Sequence, residues 1–426
     1  MSSTKRVFIT GLGALTASGT TDAKNWASIL GGVQNIDEIQ SWDIASWSHR
    51  LGGELKEFQP AKFLPDRKLM KVISRQDVLG INAAMQAIES SQLQGYRDSL
   101  DNSEEFNDKT AVFVGSPGNK YYQQYDFLPL LAKTKGDMRH FAKQLFAEVH
   151  PMWLLRILPN NVLAYTGITY GFKGVNHNVT NHAAGGMQAL IEAYHAIKTG
   201  QAERAVVVAY DTGTEPQALF YYNRLGVISS RHLKPFDAEH DGTILGEGAA
   251  AIVIESETSV NAREAVCYAE LLEGASTTEA AGLFSIEEDG SHLAALLAHV
   301  LYKNGIQPEE VGLLVAHGNG NKKSDVSEAI AISSVFGQAS VPVTAYKWSM
   351  GHTLCASGIL DTVLAVHALR DGCVPGIPNL VQPAPECAQL NISHNHRSME
   401  SGKKHALVIN RGFASMNACL LLKACT

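Results

Sequence analysis

Asn178-Val-Thr-Asn-His182-Ala-Ala-Gly-Gly-Met-Gln-Ala-Leu190 is an extended segment that runs into a histidine, then into small residues, then into a helix. A side chain carried on such a turn stands at a helix N-terminus. Backbone N–H groups and the helix dipole there favour an anion and lower the pKa of an acid. That suits a nucleophile. The same residues also describe an ordinary capped strand-to-helix turn, and the segment alone does not separate the two.

The flanking pattern repeats this strand-to-helix alternation. Short apolar runs rich in Val, Ile and Ala lie at 7–10, 111–114, 205–209, 250–255, 266–272, 311–316 and 406–410, and they read as buried strands. Helical periodicity covers 75–90, 183–198, 291–304, 323–336 and 357–369. The alternation predicts an α/β fold with helices covering mainly parallel sheets. The polar, acidic stretch 99–109 reads as a surface loop, and the aromatic- and leucine-rich stretch 121–158 as helical excursions over one face. Pro375, Pro378, Pro383 and Pro385 mark an extended passage. No stiff linker divides the chain, and two halves, 1–256 and 257–426, packed into one body, fit the pattern.

The 426 residues are 45% hydrophobic and 18% charged, with 35 basic against 42 acidic side chains and a formal net charge of -7. This is the composition of a globular chain with enough length for a sizeable core. It speaks against nucleic acid as a partner, which would need a clustered basic surface. An acidic carrier protein remains compatible through a local patch. The opening MSSTKRVFITGLGALTASG has early basic residues and an apolar run, but Gly11 and Gly13 interrupt it and no clean cleavage site follows. It reads as a buried first strand. No apolar stretch approaches the roughly 18 residues that span a bilayer, and a cytoplasmic protein without a membrane partner is expected. Cys267, Cys355, Cys373, Cys387, Cys419 and Cys425 form no Cys-x-x-Cys pair. Free thiols are expected rather than a disulfide framework.

Three further segments carry chemistry-bearing residues. His317 follows a buried strand and enters the Gly-Asn-Gly-Asn loop of Val315-Ala-His317-Gly-Asn-Gly-Asn-Lys-Lys-Ser-Asp325-Val-Ser-Glu328, and strand ends of α/β sheets are where ligands bind. Lys347 and His352 lie five apart on a glycine-containing turn, Tyr346-Lys347-Trp-Ser-Met-Gly351-His352, ahead of another helix. Asn410-Arg-Gly412-Phe413-Ala-Ser-Met-Asn417 is a Gly-Phe turn between two strands. Each taken singly is equally at home in a purely structural role.

Taken in order, these segments resemble the β-ketoacyl-ACP synthases of the thiolase superfamily over nearly the whole chain. Arg6-Val-Phe-Ile-Thr-Gly-Leu-Gly-Ala-Leu-Thr is similar to the family's opening strand and turn. Lys234-Pro-Phe-Asp237-Ala-Glu-His-Asp241-Gly-Thr-Ile-Leu-Gly246-Glu247-Gly248-Ala is similar to its mid-chain motif. The resemblance implies a thiolase-like, five-layered α-β-α-β-α body built from two similar halves, normally dimeric, with no cofactor and no metal. It places His317 and His352 at the two histidine positions that assist decarboxylation and stabilise the enolate. Lys347 falls at the position that orders the histidines, Phe413 at that of the gating phenylalanine, and Gly412 in the turn that helps form the oxyanion hole.

One position departs from the family. Where it has Thr-Ala-Cys, this chain has Thr180-Asn181-His182. The cysteine that accepts the acyl chain is absent, and Cys355 lies on a segment that does not present the nucleophile. An imidazole can attack a thioester, but acyl-imidazoles hydrolyse readily and hold a growing chain poorly. Two functions then compete. One is a non-catalytic chain-length factor, paired as a heterodimer with a cysteine-containing ketosynthase and shaping the tunnel for chains carried on acyl carrier protein. The other is an enzyme: a malonyl-ACP decarboxylase, or an active 3-oxoacyl-ACP synthase using His182. A degenerate scaffold homodimer is the plain third reading. Aromatic crowding in Gly115-Ser-Pro-Gly-Asn-Lys-Tyr121-Tyr122-Gln123-Gln-Tyr125-Asp-Phe127 favours the first. The resemblance puts Tyr121, Tyr122, Gln123 and Phe127 near the tunnel end and the dimer interface. Ordinary interface packing would use the same residues. His150-Pro-Met-Trp-Leu-Leu-Arg-Ile-Leu-Pro-Asn-Asn161 is similar to ketosynthase-like proteins of aryl polyene and dialkylresorcinol pathways.

Overall fold

The structure, a computed structural model, describes residues 5–56, 58–64, 66–118, 122–337 and 340–425, with side chains omitted at 122–126. The apolar opening is a strand, β1 (Val7–Thr16), buried along its whole length. Nine more strands join it: β2 (Thr110–Gly115), β3 (Asn176–Val179), β4 (Arg204–Thr212), β5 (Glu247–Ser256), β6 (Ala269–Thr278), β7 (Val311–Val315), β8 (Val343–Thr344), β9 (His405–Gly412) and β10 (Met416–Ala424). Their order is β8-β7-β9-β10-β6-β1-β5-β4-β2-β3.

This order is one five-strand pattern used twice. The first half runs β1-β5-β4-β2-β3 and the second β6-β10-β9-β7-β8, and corresponding neighbours pair in the same sense. A short antiparallel seam, Phe8↔Glu270 and Ile9↔Ala269, joins the halves. Within each half two pairs are antiparallel and two parallel, so the expectation of mainly parallel sheets is corrected. In the second half the reason is local: β9 and β10 are joined directly through the Gly412-Phe413 turn, and a connection that short closes only an antiparallel pair.

The helices make the layers. α1 (Arg75–Ser90) packs on β1, β5 and β4, on one outer face. Its Ser74 and Asp77 form a capping box. α2 (Gly185–Lys198) and α3 (Ser357–Asp371) lie between the halves, and each touches strands of both. The helix Ser291–Lys303 packs on β6, β10 and the helix Lys322–Phe336 on the opposite outer face. The result is the five-layered α-β-α-β-α arrangement. α3 is buried along nearly its whole length, as an inner layer requires.

The described part of the stretch, 122–158, is helical as expected, with helices Tyr122–Lys133, Met138–Glu148 and Trp153–Arg156. The polar stretch 99–109 differs from expectation. It holds a short helix, Glu104–Asp108, because Phe106 is apolar enough to be drawn into the core beneath Arg204.

Candidate functional site

β3 leads directly into the turn that carries His182. The backbone at His182 takes φ 48, and the 182–184 turn passes into α2. The glycines after it are dictated by crowding. A Cβ on Gly186 would lie 2.4 Å from the carbonyl oxygen of Cys355 and 2.7 Å from Cβ of Ala209. The end of β9 comes as close: a Cβ on Gly412 would lie 3.0 Å from the backbone nitrogen of Ala184. His182 and the Gly-Phe turn are thereby pressed together.

The imidazole is held on both sides. The backbone N–H of Phe413 donates to Nδ1 at 3.3 Å. A neutral ring that accepts at Nδ1 carries its proton at Nε2, and Nε2 is hydrogen-bonded to the hydroxyl of Tyr222. The Phe413 ring stacks on the imidazole, with centroids 4.1 Å apart and planes 10° apart. Tyr222 stacks on Phe413 at 5.6 Å, and Phe284 meets Phe413 edge-on at 5.2 Å. Burial in this aromatic column lowers the His182 pKa to about 4.

His317 and His352 face each other at right angles, with centroids 5.1 Å apart. His317 stands just beyond β7. Its backbone N–H and that of Gly318 donate to the Glu328 carboxylate at 2.7 and 3.0 Å. Its Nδ1 accepts from the backbone N–H of Arg411 at 3.3 Å. His352 follows Gly351, whose φ of 80 suits glycine, and its Nδ1 accepts from the Leu354 N–H at 3.2 Å. The neutral ring of His352 therefore carries its proton on Nε2, the tautomer that can donate to a carbonyl or enolate oxygen, while Nε2 of His317 lies 3.3 Å from the side-chain amide nitrogen of Asn319. Burial holds both pKa values well below the usual histidine range, and the charge of Lys347 adds to it. Lys347 lies behind the histidines and donates to Oδ2 of Asp361, on α3, at 2.7 Å. Burial pushes the Glu328 carboxyl up to about 7.

A cavity of about 460 Å³ opens over these groups, lined by His182, His317, His352, Gly412, Phe413 and Tyr222 among others. The four segments singled out in the sequence thus meet in one place. Lys347 supports that place without lining it. Phe127 lies elsewhere: it packs against Trp153 at 5.0 Å and Phe141 at 6.1 Å. Tyr121 and the side chains of Tyr122 and Gln123 fall outside the described residues. Among the described residues no three His, Cys, Asp or Glu side chains are grouped to hold a metal. Sequence reasoning missed Tyr222, Phe284 and Asp361. Asp361 left a signal, an acid among the mostly apolar residues 359–366, which once buried calls for a cation. Two acids of the mid-chain motif are structural pins. Asp237 accepts from the N–H groups of Val381, Gln382 and Glu239, and Glu247 from that of Leu55 and from Arg75.

Residues 4–259 match the family described as "Beta-ketoacyl synthase, N-terminal domain", and residues 268–381 match "Beta-ketoacyl synthase, C-terminal domain". The chain belongs to the β-ketoacyl synthase family. This family member is 29% identical to 3-oxoacyl-[acyl-carrier-protein] synthase 2 of Staphylococcus aureus (strain COL), over 99% of both chains. Among solved structures, the ishigamide ketosynthase/chain length factor shares the fold at TM-score 0.88 and 23% identity, covering 100% of each chain. A ketosynthase in a complex with its type II PKS acyl-carrier protein shares it at TM-score 0.83 and 21% identity, again over 100% of each. Among the described residues, no helix of this β-ketoacyl synthase relative is long and apolar enough to cross a membrane.

The buried imidazole makes acid stability a test of the site. The folded chain keeps His182 neutral down to about 4, whereas an unfolded imidazole takes its proton near 6.5. The unfolded state then binds more protons between those values, so stability falls as pH drops from 6.5 toward 4, with His182 contributing at most about 3 kcal/mol. His317 and His352 act in the same direction. Thermal unfolding followed across this window is expected to show a shallower decline for His182→Gln than for the native chain. Identical slopes would mean that His182 is not held neutral.

Proposed function

We propose that the chain is a chain-length factor: a non-catalytic ketosynthase-like subunit that pairs with a cysteine-containing β-ketoacyl synthase. It shapes the acyl tunnel for chains carried on acyl carrier protein. The observation that carries this reading is the engagement of His182. Its Nδ1 takes up the Phe413 N–H that would otherwise face a thioester oxygen, and its Nε2 is bound to Tyr222. An imidazole with both nitrogens occupied and a phenyl ring stacked on it is a filler of the nucleophile position. In this reading His182, His317, His352 and Lys347 are vestigial, and Gly412 and Phe413 close the pocket. Tyr121, Tyr122, Gln123 and Phe127 contribute to the tunnel end at the subunit interface.

A partner is supported by the surface. β3 is an edge strand with its first residues exposed, and nearby Ile168 is 73% exposed. On the excursion helices Phe146 is 92% exposed, with Leu128 and Leu154 also open to solvent. Apolar side chains and a free strand edge in quantity suit a protein interface. The fold shared with a ketosynthase/chain length factor and with a ketosynthase bound to an acyl-carrier protein agrees with these partners. The division into halves at 256/257, a cytoplasmic location and an aryl polyene type of pathway belong to the same proposal.

One observation favours a second reading, malonyl-ACP decarboxylation. His352 keeps the Nε2–H tautomer that such a step uses, and His317 faces it at 5.1 Å. Co-expression with a ketosynthase partner, followed by sizing and malonyl-ACP assays, separates the two. Elongation is expected only with the partner present, and His182→Ala is expected to leave it intact. Consumption of malonyl-ACP by the chain alone, abolished by His352→Ala, would overturn the chain-length-factor reading.

A further inference from the structure

The helix Met138–Glu148 has no footing in the core. It packs on the helix Tyr122–Lys133, with Phe141 against Phe127 and Glu148 paired to Lys133, and none of its own residues is buried. At 11 residues it is too short to be stable in water by propensity alone. Its sequence is nevertheless ordered by face. Met138, Ala142 and Leu145 recur at i, i+4 and i+7 and make an apolar stripe. Arg139, Lys143 and Phe146 repeat the same spacing one residue on and make a basic stripe that ends in an aromatic ring. Met138, Arg139, Lys143 and Phe146 are all exposed. A helix of this kind is completed by something outside the chain.

Charge says what completes it. Residues 127–178, from this hairpin to the end of the exposed part of β3, hold six Lys or Arg and only two acids, Asp137 and Glu148, in a chain of net charge -7. Glu148 is taken by Lys133, and Asp137 caps the helix by accepting from the N–H groups of Arg139 and His140. Among the described residues Lys135, Arg139 and Lys143 have no carboxylate partner. Two copies meeting through this hairpin would set like charges against each other, whereas an apolar face with an acidic border neutralises them.

We propose that the 127–148 hairpin is the arm that selects the partner subunit. It docks on an apolar strip bordered by Asp and Glu on the cysteine-containing ketosynthase, and its positive charge disfavours a second copy of this chain. The inference rests on the heterodimer reading above. The contact covers Met138, Leu145 and Phe146, while Arg139 and Lys143 meet partner carboxylates at the rim. Binding supplies the helix with the packing that this chain's own core does not give it.

The test is hydrogen exchange over 138–148 in the full chain, alone and with the co-expressed ketosynthase. Alone, these amides are expected to exchange far faster than those of the buried α3, and the ketosynthase is expected to protect them. Arg139→Glu combined with Lys143→Glu is expected to weaken the heterodimer about tenfold at low salt and less at high salt, where the native attraction is already screened. Circular dichroism should not change, because neither side chain enters the core. Protection equal to that of α3 in the chain alone would overturn the proposal. So would protection that comes from self-association, from acyl carrier protein or from anionic vesicles in place of the ketosynthase. A heterodimer that leaves 138–148 unprotected, or whose affinity ignores the charge reversal, would sink this inference and leave the chain-length-factor reading standing. Absence of any heterodimer would remove both.

Discussion

His182→Cys is expected to convert a chain that takes up no acyl group from acyl carrier protein into one that does, seen as an intact-mass increase equal to the acyl chain. The native imidazole reaches the Phe413 N–H and uses it. A cysteine side chain is too short to do so, and the N–H is released toward the cavity. One such donor, aimed at the oxygen of a tetrahedral intermediate, is worth about 10²–10³-fold in rate. The thiol would stand at the N-terminus of α2, where its pKa falls and its nucleophilicity at neutral pH rises. The surrounding equipment is in place: His317 and His352 face each other at 5.1 Å, and Lys347 keeps its partner. His182→Ala, which also frees the N–H but supplies no nucleophile, should remain unmodified. A folded His182→Cys chain that stays unmodified, while a cysteine-bearing ketosynthase is loaded in the same mixture, would mean that the turn no longer presents its side chain to substrate. Acylation of the native chain at His182 would overturn the non-catalytic reading outright.

Asp361→Ala is expected to cost about 3–5 kcal/mol of folding stability in urea titration, the usual consequence of removing one member of a buried ion pair. Lys347 and Asp361 are both almost wholly buried, and their bond is 2.7 Å long. Without the carboxylate, the ammonium is left uncompensated between α3 and the histidine pair. The combined change Lys347→Met with Asp361→Leu removes both charges at similar volume and should recover most of the loss, because the desolvation penalty disappears with the attraction. A loss under about 1 kcal/mol for Asp361→Ala would mean that Lys347 reaches water or sheds its proton.

The site was legible in part because its landmarks are local. A histidine after a buried strand, a lysine and a histidine on one glycine turn, and a Gly-Phe hairpin each sit within a dozen residues, and their order along the chain carried the family resemblance. The substitution of histidine for cysteine was visible in the same way. The contacts that decide what His182 does are of another kind. Tyr222 lies 40 residues from His182 and Phe413 lies 231 away, and no periodicity links positions so far apart. They meet because the two halves pack on each other through α2 and α3, which brings the end of β9 against the turn that follows β3.

The amino-acid sequence by itself determined the α/β character, the buried first strand, the missing nucleophile and the three histidines and Gly-Phe turn that share the site. The tertiary structure alone decided that the pattern β1-β5-β4-β2-β3 is used twice with antiparallel strands where the two copies join, that Asp361 neutralises Lys347, and that the imidazole occupies the N–H of Phe413. The physical reason is that hydrophobic alternation specifies which face of an element is buried, while the partner it is buried against depends on pairing and packing over the whole chain.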